Sequence, residues 1–223
     1  MSKNILIVGA SGLVGGEILK NLKTTNNDLI LLSRKKLLCE NSINQIVIDF
    51  ENIDSLDASL KVDEIYIAIG QKLSLSELVY IKKNNRKSFV NVDYNYIKKV
   101  AEFAKKCGAS SIALISAIGA NTKSFNTYLK VKGDVEQEIK LVGYKKIIIA
   151  HPSHLLGKRA GEDIPMNVKV FEQITNLFGL LMIGPLQKFR NVEAKKVAKA
   201  IISKMDSVEE GIHYIDYKYF KNF

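Results

Sequence analysis

Ile5-Leu-Ile-Val-Gly-Ala-Ser-Gly-Leu-Val-Gly-Gly-Glu17 is the stretch whose reading decides the fold. An apolar run enters a glycine-rich turn, and the residues Leu13–Leu22 follow at helical spacing. An export signal needs an unbroken apolar segment, and Gly9, Ser11, Gly12, Gly15 and Gly16 interrupt this one. Strand, tight turn and amphipathic helix fit instead. A helix N-terminus presents unpaired N–H groups and partial positive charge, which suits a phosphate. In a dinucleotide turn the first glycine permits the bend and the second lets backbone approach a pyrophosphate. The third lets the helix pack closely. Here the spacing is Gly9-x-x-Gly12-x-x-Gly15, one residue wider at its start than the common Gly-x-Gly-x-x-Gly. Ser11 can either cap the helix or donate its hydroxyl to a phosphate.

The pattern continues outward from this turn. Apolar runs at Leu29–Leu32, Gln45–Ile48, Glu64–Ile69, Ser111–Ile115 and Lys146–Ala150 read as strands, with Asn91–Lys105 and Tyr128–Val142 as helices between them. Near-continuous apolar strands alternating with helices predict a doubly wound parallel α/β sheet of Rossmann type, covered on both faces. After Ala150 the pattern loosens. Residues 151–165 read as loop, Met166–Phe178 and Val192–Lys204 as helices, and Ile212–Ile215 as a last short strand. The expectation is one Rossmann domain over residues 1–223, with residues 151–223 contributing a small C-terminal substrate lobe. Met166, Val170, Phe171 and Phe178 form an apolar stripe there that suits a buried helix face better than a pocket wall.

Bulk composition bounds the function. Two cysteines among 223 residues supply no disulfide framework and fit a reducing cytosol, so a cytoplasmic protein is expected. No run approaches the roughly 18 apolar residues of a membrane span. The formal net charge of +10 comes from lysines scattered in pairs, as on a solvated surface, so nucleic-acid binding is disfavoured. The aromatic and lysine-rich tail, residues 214–223, reads as a final strand docked on the core or on a partner subunit, leaving a homodimer or another protein partner open. No metal site is expected.

The second strand ends in Ser33-Arg34-Lys35-Lys36 and carries no carboxylate. An acidic side chain at that position binds the ribose 2′-hydroxyl of NAD, whereas an arginine fork matches the 2′-phosphate of NADP. NADP(H) is therefore favoured over NAD(H), with Arg34 as the phosphate clamp. Farther on, Ser116 follows a strand, and Tyr128 and Lys132 lie four apart on one helix face. A lysine ammonium, helped by the positive nicotinamide, favours phenolate and should pull the tyrosine down from its usual range near pH 10 toward neutrality, where acid–base catalysis is effective. Ser116 would orient a carbonyl or hydroxyl.

These motifs together resemble the short-chain dehydrogenase/reductase superfamily in its extended or atypical branch, most nearly the Tat-interacting-protein type of NADP(H)-binding oxidoreductase. The likeness rests on residues 9–15, 89–94, 114–120, 128–136 and 151–156 and runs nearly end to end. It implies hydride transfer between nicotinamide and a small-molecule carbonyl or alcohol, with Ser116, Tyr128 and Lys132 as the catalytic set. It also implies cofactor contacts from Gly9, Ser11, Gly12, Leu13, Val14, Gly15 and Arg34, with Asp49 and Phe50 flanking the adenine. Ala68, Ile69 and Gly70 would line the adenosine and ribose, Lys132 would also hold the nicotinamide ribose, and His151, Pro152 and Ser153 would pack near the nicotinamide. His151 stands where relatives commonly carry arginine, and Asp93 is expected to hold a loop. Two rival readings remain: an NADP(H) sensor acting through a protein partner, and a sugar-nucleotide epimerase, for which the C-terminal lobe looks small.

Overall fold

The computed structural model describes residues 2–38, 43–157, 182–207 and 209–223. Among the described residues, seven parallel strands form the sheet: β1 Asn4–Val8, β2 Asp28–Ser33, β3 Asn44–Val47, β4 Glu64–Ile67, β5 Ser111–Ile115, β6 Lys146–Ala150 and β9 Gly211–Ile215. A two-stranded parallel ladder of β7 Leu155–Leu156 and β8 Val192–Glu193 stands apart. The main order is β3-β2-β1-β4-β5-β6-β9. The chain thus builds outward from β1 on one side, then crosses back to β4 and builds the other. That reversal leaves a crevice beyond the carboxyl ends of β1 and β4, the usual ligand position in such sheets.

The strands are nearly continuous apolar runs because both faces are covered. Alternation still sorts each side chain to one face. Leu6 and Val8 of β1 join Ile65 and Ile67 of β4, Ile112 and Leu114 of β5 and Ile147 and Ile149 of β6 in one core. Ile5, Ile7, Tyr66, Ala113 and Ile148 point to the opposite core. Helix α4 Tyr96–Lys106 packs into the first, and α5 Thr127–Leu141 contributes Val135 and Ile139 to it. The second is covered by α1 Leu13–Leu22 and α6 Ala194–Asp206, which pack against each other, and by the short α7 Tyr217–Phe220.

The structure departs from the sequence reading in three ways. Two helices, α2 Leu75–Val79 and α3 Lys83–Val90, precede the predicted one, because capping and tertiary contacts outweigh their polar composition. Ser74 and Glu77 form a capping box at the start of α2. The predicted Asn91–Lys105 helix begins instead as a π-helical turn, Asn91–Asn95, joining α3 to α4. Finally, β9 extends the main sheet and α6 packs on α1, where the sequence reading assigned both segments to a C-terminal lobe. The Met166–Phe178 stripe lies outside the described residues.

Candidate active site

A cavity of about 600 Å³ opens over the carboxyl ends of the strands, within the range of small-molecule and cofactor pockets. Its floor is the opening glycine turn. Gly9 follows β1 with φ of +94°, a conformation that side-chain-bearing residues rarely adopt. A Cβ there would also sit 2.6 Å from the Ala68 carbonyl oxygen. A Cβ on Gly15 would sit 2.1 Å from the Gly9 carbonyl oxygen, so the helix can approach the turn only as glycine. The turn closes with the Gly12 N–H donating to Gly9 O at 2.8 Å. Helix α1 is capped by Gly12 without any side-chain bond, and Ser11 is exposed, so the capping reading of Ser11 does not hold. Bare backbone facing a dinucleotide-sized space fits a pyrophosphate.

Gly9, Ser11, Gly12, Leu13 and Val14 line this cavity. At one end stand Arg34, just past β2, and Phe50, whose ring meets Tyr96 edge-on at 5.6 Å between centroids. Ala68, Ile69 and Gly70 follow β4 along the middle. Ser116, Tyr128 and Lys132 stand at the other end, so a cavity spans both halves of the anticipated site. Gly15, Asp49, His151, Pro152 and Ser153 are not among the lining residues. Gly15 acts through packing. Asp49 caps the 3-10 turn Phe50–Ser55, accepting from Glu51 N at 3.1 Å. His151 is turned to Glu136, and Ser153 donates to the Arg190 carbonyl. Leu155 of β7 reaches the cavity instead.

Helix α5 is set in place locally. The Asn126 side chain caps α5 by accepting from Leu129 N at 3.1 Å and donates to the carbonyls of Leu78 and Val79. Gly133 lets the loop after β5 lie directly on α5: a Cβ there would come within 2.5 Å of Asn121 and Thr122 backbone. Tyr128 packs 5.9 Å from the Phe89 ring, beside Ile81 and Val131.

Asp93 was expected to hold a loop. It does more. From the middle of the π turn its Oδ1 meets Lys132 Nζ at 2.8 Å, with side-chain exposures of 2% and 6%. Its Oδ2 accepts the Gln71 N–H at 2.7 Å, tying down the loop after Gly70. A π turn admits an extra residue per turn and often sits at functional sites; here it carries Asp93 at its centre. Burial by itself would lower Lys132, but Asp93, Tyr128 and Glu136 outweigh it and hold the ammonium above its ordinary range.

The surroundings that the protein itself supplies act against the expected lowering of Tyr128. Burial pushes Tyr128 up, Lys132 opposes this, and Asp93 adds to the rise, so the phenol is protonated at neutral pH. The ladder Tyr128-x-x-x-Lys132-x-x-x-Glu136 shows a third member that the sequence reading passed over. Glu136 is buried, accepts the Ser116 hydroxyl and lies 2.8 Å from His151 Nε2. The i, i+4, i+8 spacing was its available signal. Gln71, Lys72, Ser88 and Tyr96 are further lining residues that no motif marked, and Val92 is another, from the 89–94 block.

With this geometry in view, comparison with known proteins is direct. The profile of the NAD dependent epimerase/dehydratase family matches residues 5–217. The chain belongs to that family. Within it the likeness is to HTATIP2-type proteins. The rat protein HTATIP2 is 32% identical over 165 residues, covering 71% of this chain and 65% of its own length, just under two thirds. The FMP52 protein of Lodderomyces elongisporus, named as mitochondrial, is 30% identical over 176 residues, covering 71% of this chain and 69% of its own. Among solved structures, MoeE5 in complex with UDP-glucose and NAD superposes with a TM-score of 0.70 at 12% identity, over 97% of this chain and 79% of that one. That likeness shows the shared Rossmann fold. Membership in the NAD dependent epimerase/dehydratase family brings a nicotinamide cofactor and an oxidoreductase-type domain.

One expectation is corrected by these relatives. A purely cytoplasmic location conflicts with FMP52 proteins from several yeasts, which carry a mitochondrial name. Free thiols separate reducing from oxidising surroundings and do not distinguish one reducing compartment from another.

Proposed function

We propose that this chain is an NADP(H)-dependent oxidoreductase that reduces a carbonyl compound, with Tyr128 as the proton donor. The supporting observation is that Tyr128 and Lys132 line the same cavity as the glycine turn and Arg34. Gly9, Gly12 and the start of α1 would hold the pyrophosphate, Arg34 the 2′-phosphate, and Lys132 the nicotinamide ribose. When bound, the nicotinamide supplies or accepts a hydride. Tyr128 holds its proton at Oη through neutral pH and would release it to the carbonyl oxygen as alcohol forms. Lys132 would stabilise the resulting phenolate, and Asp93 keeps Lys132 charged and in place. A phenol protonated at rest is the form that reduction uses, whereas oxidation of an alcohol needs a phenolate first.

NADPH consumption, followed against a panel of aldehydes, ketones and quinones, tests this reading. Tyr128→Phe should lower turnover by about 10²–10⁴-fold, the usual contribution of a positioned acid, while NADPH affinity, read by nicotinamide fluorescence, stays within a few-fold. Turnover unchanged in Tyr128→Phe refutes the mechanism.

A second reading is a nucleotide sensor without significant turnover. It is favoured by the surroundings of Tyr128, where burial, with Asp93 adding to it, outweighs the pull of Lys132 and holds the phenol above its ordinary range. NADPH binding with no turnover across the panel would establish that reading instead.

A further inference from the structure

Farther along the helix that carries Tyr128 and Lys132 lies an assembly that the proposed mechanism does not use. Ser116 follows β5 and is 4% exposed, while its hydroxyl donates to Glu136 Oε1. The same oxygen lies 2.8 Å from His151 Nε2. His151 follows β6, its backbone N–H donates to Ile215 O at 2.8 Å, and its ring meets Tyr214 of β9 at 5.4 Å between centroids. The Lys140 ammonium of α5 also lies over the Tyr214 ring, at 5.4 Å. One turn toward the start of α5, the Lys132 ammonium is matched by Asp93. Among the described residues, the hydrogen-bond partners of the buried Glu136 carboxyl group are thus a serine and a histidine.

Hydrogen-bond inventory then fixes directions. A serine hydroxyl has one proton and two lone pairs. With its proton on Glu136, Ser116 has only lone pairs to offer elsewhere, and it is one of the cavity-lining residues. A carboxylate has no donor, so a His151–Glu136 bond requires the proton on Nε2. We infer that Glu136 is a positioning residue: held by His151, it engages the Ser116 proton, so that Ser116 meets the substrate as a hydrogen-bond acceptor. The substrate class that follows is a carbonyl compound with an O–H or N–H donor beside the carbonyl, such as an α-hydroxy ketone. A plain ketone oxygen finds its donor in Tyr128, and Ser116 reads the neighbouring group. This rests on the reductase reading for its substrate and on the buried contacts for its geometry.

Two measurements decide it. A long-range ¹H–¹⁵N spectrum of the whole protein, which contains three histidines, needs no turnover. His151, assigned by His151→Asn, should carry its proton on Nε2. A bare Nε2 would make Glu136 the donor and overturn the assignment. Kinetics with NADPH then compare hydroxyacetone with butanone, which match in size and differ by one hydroxyl. Wild type should favour hydroxyacetone in kcat/KM by about three- to tenfold, the worth of one net hydrogen bond. Ser116→Ala should bring the ratio to about one. So should Glu136→Gln, whose amide can donate to Ser116 and release its proton. A merely structural role would depress both ketones alike and leave the ratio standing. A wild-type ratio near one, or one that survives in Ser116→Ala, overturns the acceptor role. So does turnover of aldehydes with neither ketone accepted. If nothing on the panel consumes NADPH, the reductase reading fails by itself, and the ring nitrogens decide the Glu136 assembly.

Discussion

Asp93→Asn isolates the charge at the centre of the site. The amide keeps the carboxylate's shape and one oxygen that can still accept the Gln71 N–H, but it cannot compensate Lys132. The pair is almost wholly out of water, with 2.8 Å between Nζ and Oδ1. Removing one member of a buried ion pair costs about 3–5 kcal/mol, because an uncompensated charge stays behind. Since the substituted amide would retain the loop contact, and since Glu136 still acts on Lys132, the expected cost lies at the lower end of that range, about 3 kcal/mol. For a chain of 223 residues, each kcal/mol moves Tm by roughly 2–4 °C, so the fall should be about 6–12 °C by scanning calorimetry. Lys132→Met in the Asp93→Asn background removes the orphaned charge and should recover at least half of that loss. An Asp93→Asn protein melting within about 2 °C of wild type would refute the argument. So would a double variant whose losses simply add, because independent sites add and coupled ones do not.

Other consequences are as direct. Gly15→Ala would set a methyl group 2.1 Å from the Gly9 carbonyl oxygen. The turn must open to admit it, and NADPH affinity, read by nicotinamide fluorescence, should fall at least tenfold; unchanged affinity would remove the turn from the cofactor site. Arg34→Glu should erase or reverse a preference for NADPH over NADH in the same titration, and equal wild-type affinities would sink the Arg34 assignment. Stability should also fall in alkali. Tyr66, Tyr128 and Tyr144 are all pushed above the ordinary 10.0, mainly by burial. A group raised in the folded state contributes stability that is full below its unfolded value and lost as pH rises toward its folded one. Urea unfolding should therefore show a plateau up to about pH 9 and a decline above about pH 10. Stability that rises through this window would contradict the buried-phenol argument.

The order of strands and helices could be read from the chain because each signal is local. Asn4–Val8, Ser111–Ile115 and Lys146–Ala150 are apolar runs whose ends coincide with the observed strands. Lys83–Val90 gave no such signal: only Phe89 of that helix is buried. The π turn was illegible for a related reason. It changes the backbone register by a single residue within an otherwise helical pattern, and periodicity over a window averages that away. Ser11 read equally well as a cap or a phosphate donor, and only the extended geometry at Gly12 removed the first.

What the amino-acid sequence determined without help was the strands from β1 to β6, the glycine turn at the carboxyl end of β1 and the spacing of Tyr128 from Lys132. Each depends on neighbours within one or two turns of chain. The electrostatic character of the site was a tertiary decision. Asp93 and Glu136 reach Lys132 and Ser116 from different elements, and no local pattern states that a carboxylate 39 positions from a lysine will pair with it in the core. Burial then overrides the ammonium's pull and leaves Tyr128 protonated. Desolvation and long-range pairing depend on which groups the fold brings together, so the chemistry of Tyr128 followed from packing and its position from sequence.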